Sequence, residues 1–288
     1  TLFTGYFTFE LILASLVAVH YSGRIPAVSG LALVWVALKP NYILPIGLLV
    51  LSRGHWRSLC IGAAVSIAFA VASFAWILPA GGIAELIADI KQTQEIHRLD
   101  EIERPANNWT RVDLLAVIAK WLGSDPSESV YLATMLLLIA PVAGVIAYRR
   151  RRLKIEHRGS EKESSADALD ASREDSAVGM EGSLILLTSL ICVYHQVYDS
   201  LLMIGAIAAL CVFPNKAWRG LKWGCQVTLV ACMAFPSLNY LSSQKLLEAL
   251  AIEGIAFQIV TSLNAIALLI AWAILLLAVA NNPSDSEP

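Results

Sequence analysis

Hydrophobic residues run through this chain in long blocks almost free of charge. Leu59–Leu78, Val130–Tyr148, Val227–Leu241 and Ile255–Ala280 are the clearest, and Gly5–Tyr21 is a fifth that carries one charge at Glu10. Blocks of about 18 or more such residues read as transmembrane helices. Two further apolar blocks are interrupted. Pro26–Leu51 is split by Lys39-Pro40-Asn41, and Ser183–Phe213 is split by Tyr194-His195-Gln196-Val197-Tyr198-Asp199. Ionisable groups at membrane depth are expensive, so they face a protein cavity far more often than lipid.

The interrupted blocks predict hairpins. As helices, Pro26–Leu38 and Tyr42–Leu51 would be about 20 and 15 Å long at roughly 1.5 Å per residue. Neither crosses a hydrocarbon core of about 30 Å. A re-entrant hairpin over 26–51 keeps Arg24 and Arg53 on one side of the membrane. A broken segment over 183–213 keeps Lys216, Arg219 and Lys222 beside the run Arg149–Arg152. That Arg run, with Lys154, marks the cytoplasmic side. Ala80–Ser127 is then external, and the tail Asn281–Pro288 cytoplasmic. The expected organisation is a membrane region over 1–148 with its hairpin at 26–51 and outer loop at 80–127. A disordered cytoplasmic linker follows over 149–178, polar and without apolar periodicity in its later part. C-terminal membrane helices, including the broken one, fill 179–288. The fold class is all-α, a polytopic transmembrane bundle with two broken or re-entrant hairpins.

Composition agrees. The chain is 57% hydrophobic and 15% charged, with a mean hydropathy of +0.64, against about 25% charged residues in ordinary soluble domains. A net charge of -2, confined to loops, offers nothing to nucleic acid. Cys60, Cys192, Cys211, Cys225 and Cys232 form no CxxC pair and no metal-ligand spacing, so they read as small buried hydrophobes. No metal site and no cofactor is expected; a divalent cation is compatible but not indicated. Thr1 leads directly into an apolar helix without a basic n-region, which suggests the latter part of a longer membrane protein.

The outer loop carries its own pattern. Ile83, Leu86, Ile87 and Ile90 recur at helical spacing with Glu85, Asp89 and Lys91 between them. This predicts an amphipathic helix along the outer membrane surface. Arg98, Arg104 and Arg111 follow it, and Thr110-x-x-Asp113 resembles a capping box opening a short helix over Leu114–Leu122.

Several of these features occur in a characteristic order: an apolar helix opening with Gly5, a basic turn, and Leu38-Lys39-Pro40-Asn41-Tyr42 with Pro45 beyond. A basic turn, a helix, an amphipathic outer loop and Tyr194-His195-x-x-Tyr198-Asp199-Ser200-Leu201-Leu202 complete it. The order resembles bacterial glycosyltransferase family 87, membrane-embedded polyprenyl-phosphate-sugar transferases of the GT-C superfamily. Asn41 stands where that family more usually has glutamine. The resemblance implies a GT-C type bundle in the plasma (inner) membrane. It also implies transfer of a mannose-like hexose from polyprenyl phosphate to a glycan or glycolipid acceptor on the outer face. It places the catalytic aspartate in a first outer loop, so the general base is expected upstream of Thr1.

Transfer from a lipid phosphate needs a base for the acceptor proton and cations or hydrogen-bond donors for the leaving phosphate. Arginine suits phosphate because its planar fork bonds two oxygens. The expected substrate-binding residues are Lys39, Asn41, Arg98, Arg104, Arg111, Tyr194, His195, Tyr198 and Asp199. Each has a plainer role open to it. Lys39 can snorkel, His195 can be a satisfied core histidine, Asp199 can cap a helix, and the loop arginines can be solvated. A secondary transporter is the alternative, since broken helices also suit substrate translocation. A non-catalytic scaffold is a third reading, under which both breaks would tolerate apolar substitution.

Overall fold

The computed structural model describes residues 8–77, 82–99, 104–159, 176–192, 195–212, 218, 220–239 and 243–281. These form an all-α bundle, with no strand among the described residues beyond one isolated bridge. In chain order the helices are α1 Thr8–Tyr21, α2 Pro26–Val36, α3 Pro40–Ser52, α4 Trp56–Ile77, α5 Gly82–Leu99, α6 Leu114–Leu122 and α7 Glu128–Gly159. They continue with α8 Met180–Cys192, a 3-10 turn Val197–Met203, α9 Ile204–Val212, α10 Trp223–Leu238, α11 Gln244–Ala249 and α12 Gly254–Asn281. Three are long and apolar enough to cross a membrane: Trp56–Trp76, Glu128–Arg152 and Gly254–Asn281.

Local chemistry sets the first break. Proline disfavours the helical conformation in the residue before it and has no N–H to donate. Lys39 is accordingly extended, at φ -121 and ψ 98, and Pro40 opens α3. The arms then fold back. The Arg53 guanidinium, just past α3, donates to the Val19 carbonyl at 3.2 Å. His55 pairs with the Ser22 hydroxyl at 2.9 Å, and Ser58 donates to the Ser22 carbonyl. The far end of α3 thus returns to where α2 began. The helix α4 then starts beside α2, close enough that a Cβ on Gly30 would meet Ile61 Cγ2 at 2.7 Å. Small residues permit such backbone approach in membranes.

The second break behaves alike. Every residue of α8 is buried, which makes it the central helix, packed against α3, α7 and α12. The chain turns at His195–Asp199, and by Gly205 it has returned beside Val178, which precedes α8; a Cβ on Gly205 would lie 3.1 Å from Val178 Cγ1. Helices α3 and α8 therefore pack antiparallel, the break residues at one end and Arg53 and Glu181 at the other.

Two local features differ from expectation. The helix α7 continues through the Arg run to Gly159, so 149–159 is helical instead of disordered linker. Arginine and lysine are good helix formers, and the Arg149 and Arg150 side chains reach Glu181 at 3.8 and 3.6 Å. The remainder of the linker to 175 and the tail beyond Asn281 lie outside the described residues. The second correction concerns α6, which is capped not by Thr110 but by Asp113, whose carboxylate accepts from Ala116 N at 3.0 Å. Asn108 has already engaged the Thr110 hydroxyl at 2.9 Å. On α5, Ile83, Ile87 and Ile90 are exposed along one edge.

Candidate functional site

The two break tips meet. Lys39 Nζ lies 3.2 and 3.1 Å from the two carboxylate oxygens of Asp199. His195 Nδ1 lies 3.0 Å from Asp199 Oδ2. The Asp199 carboxylate also accepts from Gln196 N at 3.0 Å, closing a capping box that starts the 3-10 turn. The capping role open to Asp199 in the sequence is thus made, and the same carboxylate also pairs with Lys39.

Tyr42, one turn into α3, stacks edge-on against the His195 ring with centroids 4.3 Å apart. The Lys39 ammonium sits 5.0 Å from the centre of the Tyr42 ring, within cation–π range. One buried polar atom here is unspent among the described residues: His195 Nε2 makes no hydrogen bond, while the Tyr42 hydroxyl adjoins Asp199. Asp199, accepting from an ammonium and an amide, is the natural acceptor for the imidazole as well. That puts the Nδ1 proton on the histidine side and leaves Nε2 as the working nitrogen. His195, Asp199 and Tyr42 are fully buried, while the Lys39 side chain is 24% exposed. Among these four side chains, Lys39 is the one that is partly exposed.

A strap from the connection between α5 and α6 covers the second tip. Val112 N donates to the His195 carbonyl at 3.0 Å, and Val197 N donates to the Thr110 carbonyl at 2.8 Å. Together these make the antiparallel bridge Arg111–Gln196. Non-helical backbone is tolerable at such depth only when its polar groups are satisfied by protein. Asn108 shapes the strap, its side-chain oxygen accepting from Thr110 N, the Thr110 hydroxyl and Arg111 N. Arg111 forks onto Asp113, at 2.9 Å from Nε and 2.8 Å from Nη2. Burial opposes ionisation of Asp113, but the Arg111 guanidinium and the Ala116 amide hold its carboxyl below the usual range. Buried Lys120 on α6 donates to the Thr261 carbonyl of α12 at 3.1 Å. Burial lowers its pKa from 10.5 to about 8.

Of the nine expected residues, Lys39, His195 and Asp199 are in direct contact. Tyr198 is half-buried in the adjoining 3-10 turn, and Asn41 is half-buried beside Lys39 at the start of α3. Arg111 is not a solvent-facing hook, since its fork is engaged by Asp113. Arg104 lies 4.0 Å from Asp125, both about half exposed. The Arg98 side chain and Tyr194 lie outside the described residues. Tyr42, Asn108 and Asp113 belong to the assembly but were not expected in it. Tyr42 had a signal in its place three residues after Lys39, one helical turn away. Among the described residues no cluster of three or more His, Cys, Asp or Glu side chains could hold a metal ion.

An all-α membrane bundle with a polar site made by two hairpin tips is the class defined by fold and site together. Residues 1–160 match the family model described as glycosyltransferase family 87, and the chain belongs to that family. It is therefore a membrane glycosyltransferase, and the transporter alternative gives way to that. No curated protein and no solved structure matches the chain. The family match ends before the second break, so the Lys39 tip lies inside the matched region and the His195 tip beyond it.

Proposed function

We propose that this chain builds the donor-phosphate side of a hexosyltransferase site on the outer face of the plasma membrane. A mannose-like hexose moves from polyprenyl phosphate to a glycan or glycolipid hydroxyl. The acceptor oxygen bonds to the anomeric carbon and the bond from that carbon to the phosphate oxygen breaks. Polyprenyl phosphate leaves with the electron pair. The acceptor proton passes to a carboxylate general base, as the family resemblance implies. No cofactor is needed, because the lipid brings an already activated sugar.

The observation that carries this reading is the convergence of Lys39 and His195 on one carboxylate, with Lys39 open on one side and His195 Nε2 unspent. Asp199 fixes both side chains in place. An arriving phosphate favours the imidazolium, whose Nε2–H then donates to a phosphate oxygen while the ammonium neutralises the charge that grows as the bond breaks. Preorganised donors aimed at developing charge are typically the largest catalytic term.

The test uses the full-length protein in membranes, with polyprenyl-phosphate hexose as donor. His195→Ala is expected to lower transfer about 100-fold at near-normal expression. Wild-type transfer in that variant would overturn the site. Transfer that requires a nucleotide sugar with no lipid intermediate would overturn the donor.

A further inference from the structure

The polar groups of the second tip are completed largely from outside its own hairpin. His195 O and Val197 N bond to the strap in the backbone network, through Val112 N and Thr110 O. His195 N points to Asp113 Oδ2 at a long 3.4 Å. Asp113 is fully buried and has three connections: the Arg111 fork, the amide of Ala116 at the head of α6, and the His195 amide. The helix α6 is tied to α12 by Lys120. A continuous run of bonds thus leads from α12 through α6 and Asp113 to the backbone that carries the His195 ring. The ring faces Asp199, Lys39 and Tyr42, and Asp113 touches none of these three side chains in the hydrogen-bond network.

We infer that Asp113 is a positioning residue: with the Asn108–Asp113 strap, it sets the place of the His195 imidazole against Asp199 and Lys39. The inference rests on the proposed role of His195 but concerns a residue outside the reacting cluster. Its physical basis is the short reach of the chemistry. A displacement of about 1 Å in a group that must meet developing charge can cost about 100-fold in rate. The backbone at His195 and Gln196 has no helix of its own to resist such a shift. Asp113 also explains why a charged pair is kept in this connection at full burial. Arg111 rigidifies the carboxylate, and the carboxylate rigidifies the tip.

Asp113→Asn retains a capping oxygen for Ala116 and removes the charge that holds Arg111. Two readouts in the full-length protein separate positioning from plain stability. The first is modification of His195 by diethyl pyrocarbonate, read by mass spectrometry, with His20 and His55 as internal controls. The strap predicts slow modification in the native protein and about tenfold faster modification in Asp113→Asn, as local opening exposes the ring. The second is transfer kinetics in the cycle with His195→Ala. Asp113→Asn alone is expected to lower kcat about tenfold with little change in donor KM. In the His195→Ala background it should cost less than twofold further.

Unchanged His195 modification, or a full additional loss in the His195→Ala background, would overturn the inference. Faster modification together with wild-type transfer by His195→Ala would instead remove the catalytic reading and leave the strap standing. Val112→Pro deletes one strap hydrogen bond without disturbing any charge. It must reproduce the faster modification, and it decides the matter if Asp113→Asn fails to fold.

Discussion

The antiparallel pair α3 and α8 is clamped by an ion pair at each end, and the two clamps are built differently. At the end away from the breaks Arg53 Nε meets Glu181 Oε1 at 2.6 Å, and Arg149 and Arg150 close on the same carboxylate. Arg53 and Glu181 are 3% and 4% exposed. At the other end a lone ammonium, open on one side, meets Asp199, and the imidazole beside it has a nitrogen with no partner. Both ends join the same helices with the same kind of charge. One encloses its carboxylate with arginines, and the other leaves donor capacity for a visitor. The comparison teaches where to look for chemistry in a membrane bundle: among paired charges, the pair that keeps a side open.

If that contrast is right, the closed clamp governs folding. Glu181→Ala strands buried Arg53 without its carboxylate, which typically costs about 3–5 kcal/mol. Loss of monodisperse folded protein in detergent, or a sharply lowered Tm, is expected. A Tm within a few degrees of wild type would show that the Arg53–Glu181 pair is not a structural lock.

A smaller effect probes the packing around the same clamp. A Cβ on Gly182 would collide with the Ser176 carbonyl oxygen and approach Ala177 Cα at 2.6 Å. These are backbone atoms and cannot rotate away. Gly182→Ala is expected to cost about 1–3 kcal/mol, read as a lower Tm, with donor KM unchanged because the open end is untouched. An unaltered Tm would mean that the chain entering α8 can shift freely.

The smallest effect concerns the anchor of the strap. Lys120 binds its proton with a pKa of about 8 in the folded protein against an ordinary 10.5. Between those values the unfolded chain holds more protons, so stability rises with pH. The Tm should climb from pH 7.5 to 9.5 relative to Lys120→Met, in which this contribution is absent. Parallel pH profiles for the two proteins would place the Lys120 amine in a wetter site than α6 and α12 provide.

Much of this was legible in the sequence, because polar residues in an apolar run are conspicuous. Lys39, His195 and Asp199 stood out for that reason alone, and the short arms beside them argued for hairpins. Arg53 was read only as a marker of sidedness. Its burial depends on Glu181, 128 residues away, and the signal was a single carboxylate at the head of an apolar run following a basic cluster. The strap was harder. Asp113 and Thr110 are both competent caps, and only the capture of the Thr110 hydroxyl by Asn108 decides between them. That Asp113, held by Arg111, serves the His195 backbone depends on pairing across 82 residues. Such pairing leaves no periodic trace along the chain.

The central claim is that the two tips act as one site, and a double-mutant cycle on transfer by the full-length protein tests it most directly. Lys39→Met and Asp199→Asn are each expected to lower kcat about 100-fold. Asn at position 199 retains an oxygen for the Gln196 amide, so the turn persists. Because both act through one ion pair, the double variant should lose little more than the worse single variant. Losses that multiply to about 10,000-fold would contradict the account, since Lys39 and Asp199 would then act independently.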